Sequence, residues 1–208
     1  MTALPVCSAS RAHTYPQGAA LRFAPSLIAF GLLLVAFLSA APAADAEEII
    51  NFSAFSPTFA SSGQPTEAQL VTLRDNGLQR VVYIAYSDHE RSLPNADRLA
   101  KQLGLEYIHI PVEWNSPTRS DFELFAAVMQ QDADKSTLLH CQMNYRASAF
   151  AMLYRVLYQD VPLAQAKADM NTVWTPNETW TNLVLTVLKA NGVNPNCEGC
   201  DWTPAQPQ

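Results

Sequence analysis

Positive charge is scarce in this sequence. Only 13 lysine and arginine residues stand against 19 aspartate and glutamate residues, so the formal net charge is -6. Binding to nucleic acid or to an anionic membrane surface depends on clustered Lys and Arg that neutralise phosphates. We therefore expect no nucleic-acid partner. Internal repeats and low-complexity tracts are also lacking, which excludes a solenoid and favours one compact domain.

A hydrophobic run long enough to span a bilayer is lacking too. The apolar stretch from Leu27 to Leu38 is shorter than the roughly 20 residues that a spanning helix needs. It follows two arginines and precedes a run of small residues, which is the order typical of an export signal. We predict a signal peptide over residues 1–46, cleaved after Ala46. Cleavage after Ala43 and an uncleaved membrane anchor are the alternatives.

Cleavage of this segment would leave an exported protein, with a bacterial periplasm as the expected compartment. Once the signal is removed, nothing in the remaining chain predicts stable membrane association. The partners that we expect are therefore a small molecule or a protein in the exported compartment.

Cysteine is sparse, with four residues in the whole chain. Cys7 would leave with the signal peptide. In an oxidising compartment Cys197 and Cys200 are expected to form a local disulfide in the proline-rich tail at residues 193–208. Cys141 then remains as the unpaired thiol. A redox or metal role for the C-x-x-C pair is the alternative, but we predict no metal site and no cofactor.

Alternating strand-like and helix-like segments predict an α/β domain over residues 47–192. Continuous apolar runs of four or five residues are typical of strands that are buried on both faces, and apolar residues at helical spacing lie between them. The predicted strands are residues 59–61, 81–85, 107–110 and 136–140, and the predicted helices are residues 66–76, 95–103, 120–131, 146–158, 163–170 and 179–190. This order favours a mostly parallel central sheet flanked by helices.

Two of these helices carry a capping signature at their start. The S/T-x-x-E/Q pattern satisfies two backbone amides at a helix N-terminus. It occurs at Thr66–Gln69 and again at Ser120–Glu123, so we predict that helices begin there.

Cys141 and Arg146 stand at the end of one predicted strand and the start of the next helix. Ligands of parallel sheets bind beyond the carboxyl ends of the strands. Backbone amides at such a loop and the positive end of the helix dipole hold oxyanions, and the same field favours a thiolate. An arginine where a helix begins is unfavourable unless an anion lies nearby. We expect Cys141 to be a nucleophile and Arg146 to bind an anion; a small apolar core residue is the alternative for Cys141.

The neighbouring positions complete the predicted anion-binding loop. His140 can orient the loop through a hydrogen bond. Asn144 is the residue best suited to a positive φ, since the loop contains no glycine. The predicted substrate-binding residues are His140, Gln142, Met143, Asn144, Tyr145, Ala147 and Ser148.

The segment from His140 to Arg146 resembles the signature loop of the cysteine-dependent phosphatases, H-C-x5-R followed by Ser or Thr. Here four residues separate Cys141 from Arg146, and Ala147 takes the place of the hydroxyl residue, with Ser148 one position later. Residues 52–189 resemble a family of bacterial exported proteins with this shortened loop, described as tyrosine- or dual-specificity-phosphatase-like or as sulfur transferases. The resemblance implies a cysteine-dependent phosphatase fold and a phosphocysteine intermediate.

A phosphatase also needs an acid to protonate the leaving oxygen. The phosphatase family usually places an Asp some thirty positions before the cysteine, and this sequence has none there. Glu113 is the nearest carboxyl and Asp121 is the alternative. Trp114 beside Glu113 could disfavour the charged carboxylate by desolvation.

The sequence gives weaker support for placing other polar and aromatic residues in the site. His89 and Glu90 follow the strand at residues 81–85 and could lie at the rim of the same site, although a solvated loop is favoured. His109 falls within a strand pattern and is predicted to pack there. Trp174 and Trp180 are expected to pack a late helix, with an aromatic wall beside the loop as the alternative.

Three functions are consistent with this sequence. The leading hypothesis is a phosphomonoester hydrolase that acts on a small-molecule or protein phosphoester. A rhodanese-like sulfurtransferase, with a persulfide on Cys141 and a sulfur compound as substrate, is the second, because a C-x4-R loop has the length found in that class. The third is a domain that binds an oxyanion without turning it over.

Overall fold

The computed structural model describes residues 49–205. The predicted signal peptide and both candidate cleavage sites lie outside these residues. Five strands and six helices follow one another along the described chain. In order, they are β1 (Ser53–Ser56), β2 (Phe59–Ser62), α1 (Glu67–Asp75), β3 (Arg80–Tyr83), α2 (Ala96–Leu103), β4 (Glu106–His109), α3 (Arg119–Gln131), β5 (Thr137–His140), α4 (Tyr145–Tyr158), α5 (Leu163–Val173) and α6 (Glu178–Ala190).

The strands form one sheet in the order β1-β2-β5-β3-β4. Strands β2, β5, β3 and β4 run parallel, and β1 pairs antiparallel with β2 at the edge. The predicted α/β class with a mostly parallel sheet is therefore confirmed. β5 lies between β2 and β3, so the segment after His140 emerges from the middle of the sheet.

Each face of the sheet packs against its own layer of helices. Successive residues of a strand point to opposite faces, and both faces are apolar here. Val81 and Leu138 pack with residues of α1 and α2, whereas Val82 and Leu139 pack with residues of α3 to α6. Burial on both sides explains why these strands are continuous apolar runs.

Of the two capping boxes predicted from the sequence, one is confirmed and one is wrong. Thr66 caps α1 with the predicted capping box. The box predicted at Ser120 is wrong: Thr118 is the N-cap of α3, and Asp121 accepts hydrogen bonds from its amide and hydroxyl. The related pattern with Asp at the third helical position also forms a capping box, and it occurs two residues earlier, at Thr118–Asp121.

The edge strand β1 was not predicted. It has four residues, alternates half-buried and exposed positions, and contains a bulge in its pairing with β2. So short a strand carries little periodicity. No helix in residues 49–205 is long and apolar enough to cross a membrane.

Candidate active site

A cavity of about 320 Å³ opens beside the carboxyl ends of β3 and β5. This is the edge at which parallel sheets bind ligands. Its lining combines five of the predicted site residues with three from two other loops: Cys141, Gln142, Met143, Tyr145 and Arg146, together with His89, Arg91 and Trp114. The structure thus brings the cysteine and the arginine of the loop into one cavity.

The loop after β5 is held in shape by the chain segment that precedes β1. Asn144 has φ 67°, the left-handed conformation predicted for it, and is fully buried. Its Nδ2 donates to the Asn51 carbonyl at 2.5 Å, and Asn51 Nδ2 donates in return to the Met143 carbonyl at 2.9 Å. This reciprocal pair fixes the loop conformation without a glycine.

Gly63 allows a second close contact with the loop. A Cβ at this position would lie 2.7 Å from Ile50 Cβ and 2.8 Å from the Gln142 carbonyl oxygen. The neighbouring Gln64 amide donates to that same carbonyl at 3.0 Å. The backbones of the two segments therefore approach more closely than a side chain would permit.

Several amides of the loop are left without a protein acceptor. The Cys141 amide donates to the Ser62 carbonyl at 3.3 Å, and the Ser148 amide donates to the Asn144 carbonyl at 2.8 Å. Among the residues between them that line the cavity, within the described chain, no backbone or side-chain acceptor is bonded to the amides of Gln142, Met143, Tyr145 and Arg146. Unpaired amides at a strand-to-helix junction form an anion-binding concavity.

Cys141 is 1 % exposed and is the free thiol among the described cysteines. The residues after Arg146 do not supply a hydroxyl group to the Cys141 thiol. Ala147 is fully buried, and the Ser148 hydroxyl donates to the Tyr145 carbonyl at 3.1 Å. Neither residue lines the cavity, so their predicted contact with a substrate has no counterpart here.

Arg146 is oriented from two sides. Its Nη1 donates to Gln142 Oε1 at 2.8 Å, and its guanidinium lies over the Trp114 ring at 5.1 Å. Its Nε is buried and has no hydrogen-bond partner among the described residues. A buried guanidinium nitrogen without an acceptor is costly, and an anion in the cavity would satisfy it.

Gln142 connects Arg146 to the loop that follows β3. Its Nε2 donates to the Tyr83 hydroxyl at 3.1 Å and to the Tyr86 carbonyl at 3.4 Å. The Tyr83 hydroxyl in turn lies 2.7 Å from Ser92 Oγ. One network of hydrogen bonds therefore joins the loop after β3 to the loop after β5, two of the three loops that line the cavity.

His140 is buried behind the loop rather than in the cavity. Its ring stacks on Tyr83 at 4.7 Å, and the ring of His109 stacks on Tyr83 at 5.1 Å. Desolvation lowers the pKa of His140 to about 3, opposed by a backbone contact with Cys141. His140 is neutral at physiological pH and acts through packing. His109, which donates to the Ala85 carbonyl at 2.7 Å, packs in the strand as predicted.

The candidate acids lie outside the cavity lining. Asp121 is engaged by Thr118 in the cap of α3. Glu113 is half-buried next to Trp114, and its Oε1 accepts a hydrogen bond from the Asn115 amide at 3.3 Å. Among the described residues, no Asp or Glu lines this cavity.

The loop after β3 contributes more than the sequence indicated. His89, for which a solvated position was favoured, lines the cavity, whereas Glu90 does not. Arg91 also lines it and was not singled out. Their position after the strand adjacent to β5 was the available signal, but strand order is not visible in the sequence.

Aromatic side chains form one wall of the site. Tyr145 stacks on Trp174 with ring centroids 4.9 Å apart, and Trp114 lies 5.5 Å from Trp174. Trp180 is fully buried, and its Nε1 donates to the Trp114 carbonyl at 3.0 Å. Trp180 therefore packs α6 as predicted, and Trp174 supports the wall.

The tail beyond α6 carries the predicted disulfide between Cys197 and Cys200. Trp202 packs against the core, with Lys167 Nζ 5.0 Å from its ring. The Ala205 amide donates to the Pro176 carbonyl at 3.0 Å. The tail is thus fastened to the segment between α5 and α6.

Comparisons with known proteins agree on the class of the fold. Residues 38–183 match the family model described as a DSP-PTPase phosphatase fused to NAD+ kinase. A candidate phosphatase of the DUF442 group from Shewanella putrefaciens CN-32 is 33 % identical, with a TM-score of 0.64 over 70 % of this chain and 95 % of that one. No curated protein sequence matches the chain.

More distant structures share the fold. Tk-PTP in its active form is 16 % identical, with a TM-score of 0.59 over 67 % of this chain and 97 % of that one. Kinase-associated phosphatase, carrying a serine in place of its catalytic cysteine, is 14 % identical, with a TM-score of 0.59 over 70 % of this chain and 98 % of that one.

Proposed function

The chain belongs to the DSP-PTPase phosphatase family described as fused to NAD+ kinase, and from this membership we propose that it hydrolyses phosphomonoesters through a phosphocysteine intermediate on Cys141. The observation that carries the proposal is a set of unsatisfied donors on residues that line the cavity with Cys141. The amides of four such residues lack acceptors, and so does Arg146 Nε. A phosphoryl group supplies several acceptor oxygens at once.

In the first step the Cys141 thiolate attacks phosphorus. The S–P bond forms, the bond between phosphorus and the ester oxygen breaks, and its electron pair goes to the leaving oxygen. The loop amides and Arg146 stabilise the charge on the equatorial oxygens during this transfer. A water molecule then attacks the phosphocysteine, which releases inorganic phosphate and restores the thiolate.

Glu113 is the proposed proton donor to the leaving oxygen. Its neighbour Trp114 lines the cavity, and the pair lies in the loop between β4 and α3. When protonated, its carboxyl would give a proton to the leaving oxygen, and the carboxylate would take one from water in the second step. Asp121 is the weaker candidate because its carboxylate completes a helix cap.

Sulfur transfer remains the second candidate because the loop is short. The four residues between Cys141 and Arg146 enclose a smaller ring than the five of the resembled phosphatase signature. A persulfide on Cys141 would need no proton donor, which suits a cavity whose described lining has no carboxylate.

The deciding experiment uses the chain without residues 1–46 and its Cys141→Ser variant. Phosphate release from p-nitrophenyl phosphate, lost in the variant, is the expected result. Thiocyanate formation from thiosulfate and cyanide without phosphate release would replace the phosphatase by a sulfurtransferase. Inactivity in both assays with retained phosphate binding would leave a binding domain.

The acid is tested with Glu113→Gln and Asp121→Asn. General acid catalysis contributes about 10²- to 10⁴-fold, and more for poor leaving groups. We expect Glu113→Gln to slow phenyl phosphate hydrolysis by about 100-fold and p-nitrophenyl phosphate hydrolysis much less. Asn can still accept the cap hydrogen bonds, so Asp121→Asn should keep the native dependence on the leaving group. The reverse pattern would assign the acid to Asp121.

A further inference from the structure

Arg91 is a second guanidinium in the cavity that holds Arg146. Both line the cavity with Cys141, and none of the described carboxylates lines it. Arg91 forms no ion pair within residues 49–205, although Asp88 and Glu90 are close in sequence. Arg91 lies on the loop after β3, apart from the anion-binding loop that carries Arg146, so its guanidinium is available to an anionic group other than the phosphoryl group.

The turn that carries Arg91 is internally ordered. The Ser92 amide donates to the His89 carbonyl at 2.8 Å, and the Arg91 amide donates to His89 Nδ1 at 3.1 Å. Because Nδ1 accepts a hydrogen bond, neutral His89 carries its proton on Nε2. The imidazole thus offers one further N–H donor on a residue that lines the cavity.

The position of this turn relative to the anion-binding loop is fixed by hydrogen bonds. Ser92 Oγ lies 2.7 Å from the Tyr83 hydroxyl and donates to the Tyr86 carbonyl at 3.0 Å. Gln142 donates to the same hydroxyl and carbonyl and accepts from Arg146. The backbone that carries Arg91 and the guanidinium of Arg146 therefore belong to one connected network.

We propose that Arg91, assisted by His89 Nε2–H, binds a second anionic group of the substrate. The substrate class is then a phosphomonoester whose small organic part bears a carboxylate or a second phosphate. A volume of about 320 Å³ suits such a molecule, since small-ligand sites begin near 300 Å³. This inference rests on the proposed phosphatase function and specifies its substrate.

The test compares aryl phosphates that differ in one charge. The probes are 3- and 4-carboxyphenyl phosphate and their carboxylate methyl esters. A second set carries a phosphonate group in place of the carboxylate, again with its methyl esters. For each protein the measured quantity is the ratio of kcat/KM for the charged probe to that for its ester, so differences in leaving group cancel between proteins. The proteins are the native chain, Arg91→Gln, and Arg98→Gln, which removes an exposed charge outside this cavity.

We expect the native ratio to favour the charged probe and Arg91→Gln to reduce that ratio about fivefold, the upper range for an exposed ion pair. Arg91→Gln should lower kcat/KM for the charged probes more than for their esters, and Arg98→Gln should keep the native ratio. A larger effect with the carboxylate or with the phosphonate identifies which group Arg91 binds.

Three results would overturn the assignment. An unchanged ratio in Arg91→Gln, with the native chain active, removes Arg91 from substrate binding and leaves the phosphatase intact. An equal decrease of the ratio in Arg98→Gln would mean that the effect comes from the net charge of the protein rather than from Arg91 in the cavity. Absence of phosphate release from every probe by the native chain overturns the phosphatase and the substrate class together.

Discussion

Through its side-chain amide, Gln142 connects Arg146 to the loop that follows β3. Its Oε1 accepts from Arg146, and its Nε2 donates to Tyr83 and Tyr86. Loss of a hydrogen bond to a charged group costs about 1.5–3 kcal/mol. We expect Gln142→Leu to lower kcat/KM for an aryl phosphate by about 10- to 100-fold.

Gln102→Leu is the matched control for this change, since Gln102 is exposed on α2 and does not line the cavity. It should retain native activity. An active Gln142→Leu variant would show that Trp114 alone holds Arg146 in place.

His140 makes stability depend on pH. Burial lowers its pKa from 6.5 to about 3. Between these two pH values His140 is protonated in the unfolded chain and neutral in the folded chain. The stability that comes from keeping His140 neutral is fully present above pH 6.5 and is lost as the pH falls towards 3. Between pH 7 and pH 5 the free energy of unfolding falls by about 2 kcal/mol for this reason.

The measurement is urea unfolding at both pH values for the native chain and for His140→Phe, which keeps a ring against Tyr83. We expect the native chain to lose about 2 kcal/mol more stability than the variant over this interval. Equal losses would mean that His140 is protonated in the folded state.

At the scale of elements, the loop depends on the contact between Gly63 and Gln142. A methyl group at Gly63 would clash with Ile50 Cβ and the Gln142 carbonyl oxygen. Overpacking of this kind costs about 1–3 kcal/mol, and relief of the clash must displace the loop.

Gly63→Ala should therefore lower the melting temperature and reduce kcat/KM more than the fraction of unfolded protein explains. Thermal unfolding and phosphatase assays on the same sample measure the two effects. Native values for both would show that the two segments can separate without altering the site.

Local chemistry decides which elements the sequence reveals. The box at Thr66 predicts the start of α1 because its hydrogen bonds are made within four residues. The start of α3 was misplaced because two overlapping patterns both satisfy the capping rule, and only Thr118 is used. β1 escaped prediction because it depends on pairing with β2 rather than on a periodicity of its own.

At the scale of the whole molecule, the site also has a part that the sequence predicts and a part that it does not. The loop containing Cys141, Asn144 and Arg146 could be predicted because its residues are contiguous. The contributions of His89, Arg91 and Trp114 depend on the strand order, which brings β3 beside β5 and the loop after β4 over Arg146. Such long-range pairings leave no local signature in a single sequence.

Export remains a prediction from residues 1–46. We expect the chain expressed with its own N-terminus in a bacterium to accumulate in the periplasmic fraction and to begin at Glu47, because the small residues before that position suit a signal peptidase. Intact-mass measurement of the fractionated protein tests this. A full-length mass in the membrane fraction would indicate an uncleaved anchor.

The pairing of Asn51 with the loop bears on how the protein can be trimmed. Asn51 exchanges hydrogen bonds with Met143 and Asn144, and the Ile50 carbonyl accepts from the Gly63 amide. These residues begin only a few positions after the expected cleavage point. A recombinant version that starts at Phe52 would keep every residue lining the cavity but lose the hydrogen bonds that support the loop. Proteolytic removal of five residues would therefore leave a folded protein with an inactive site.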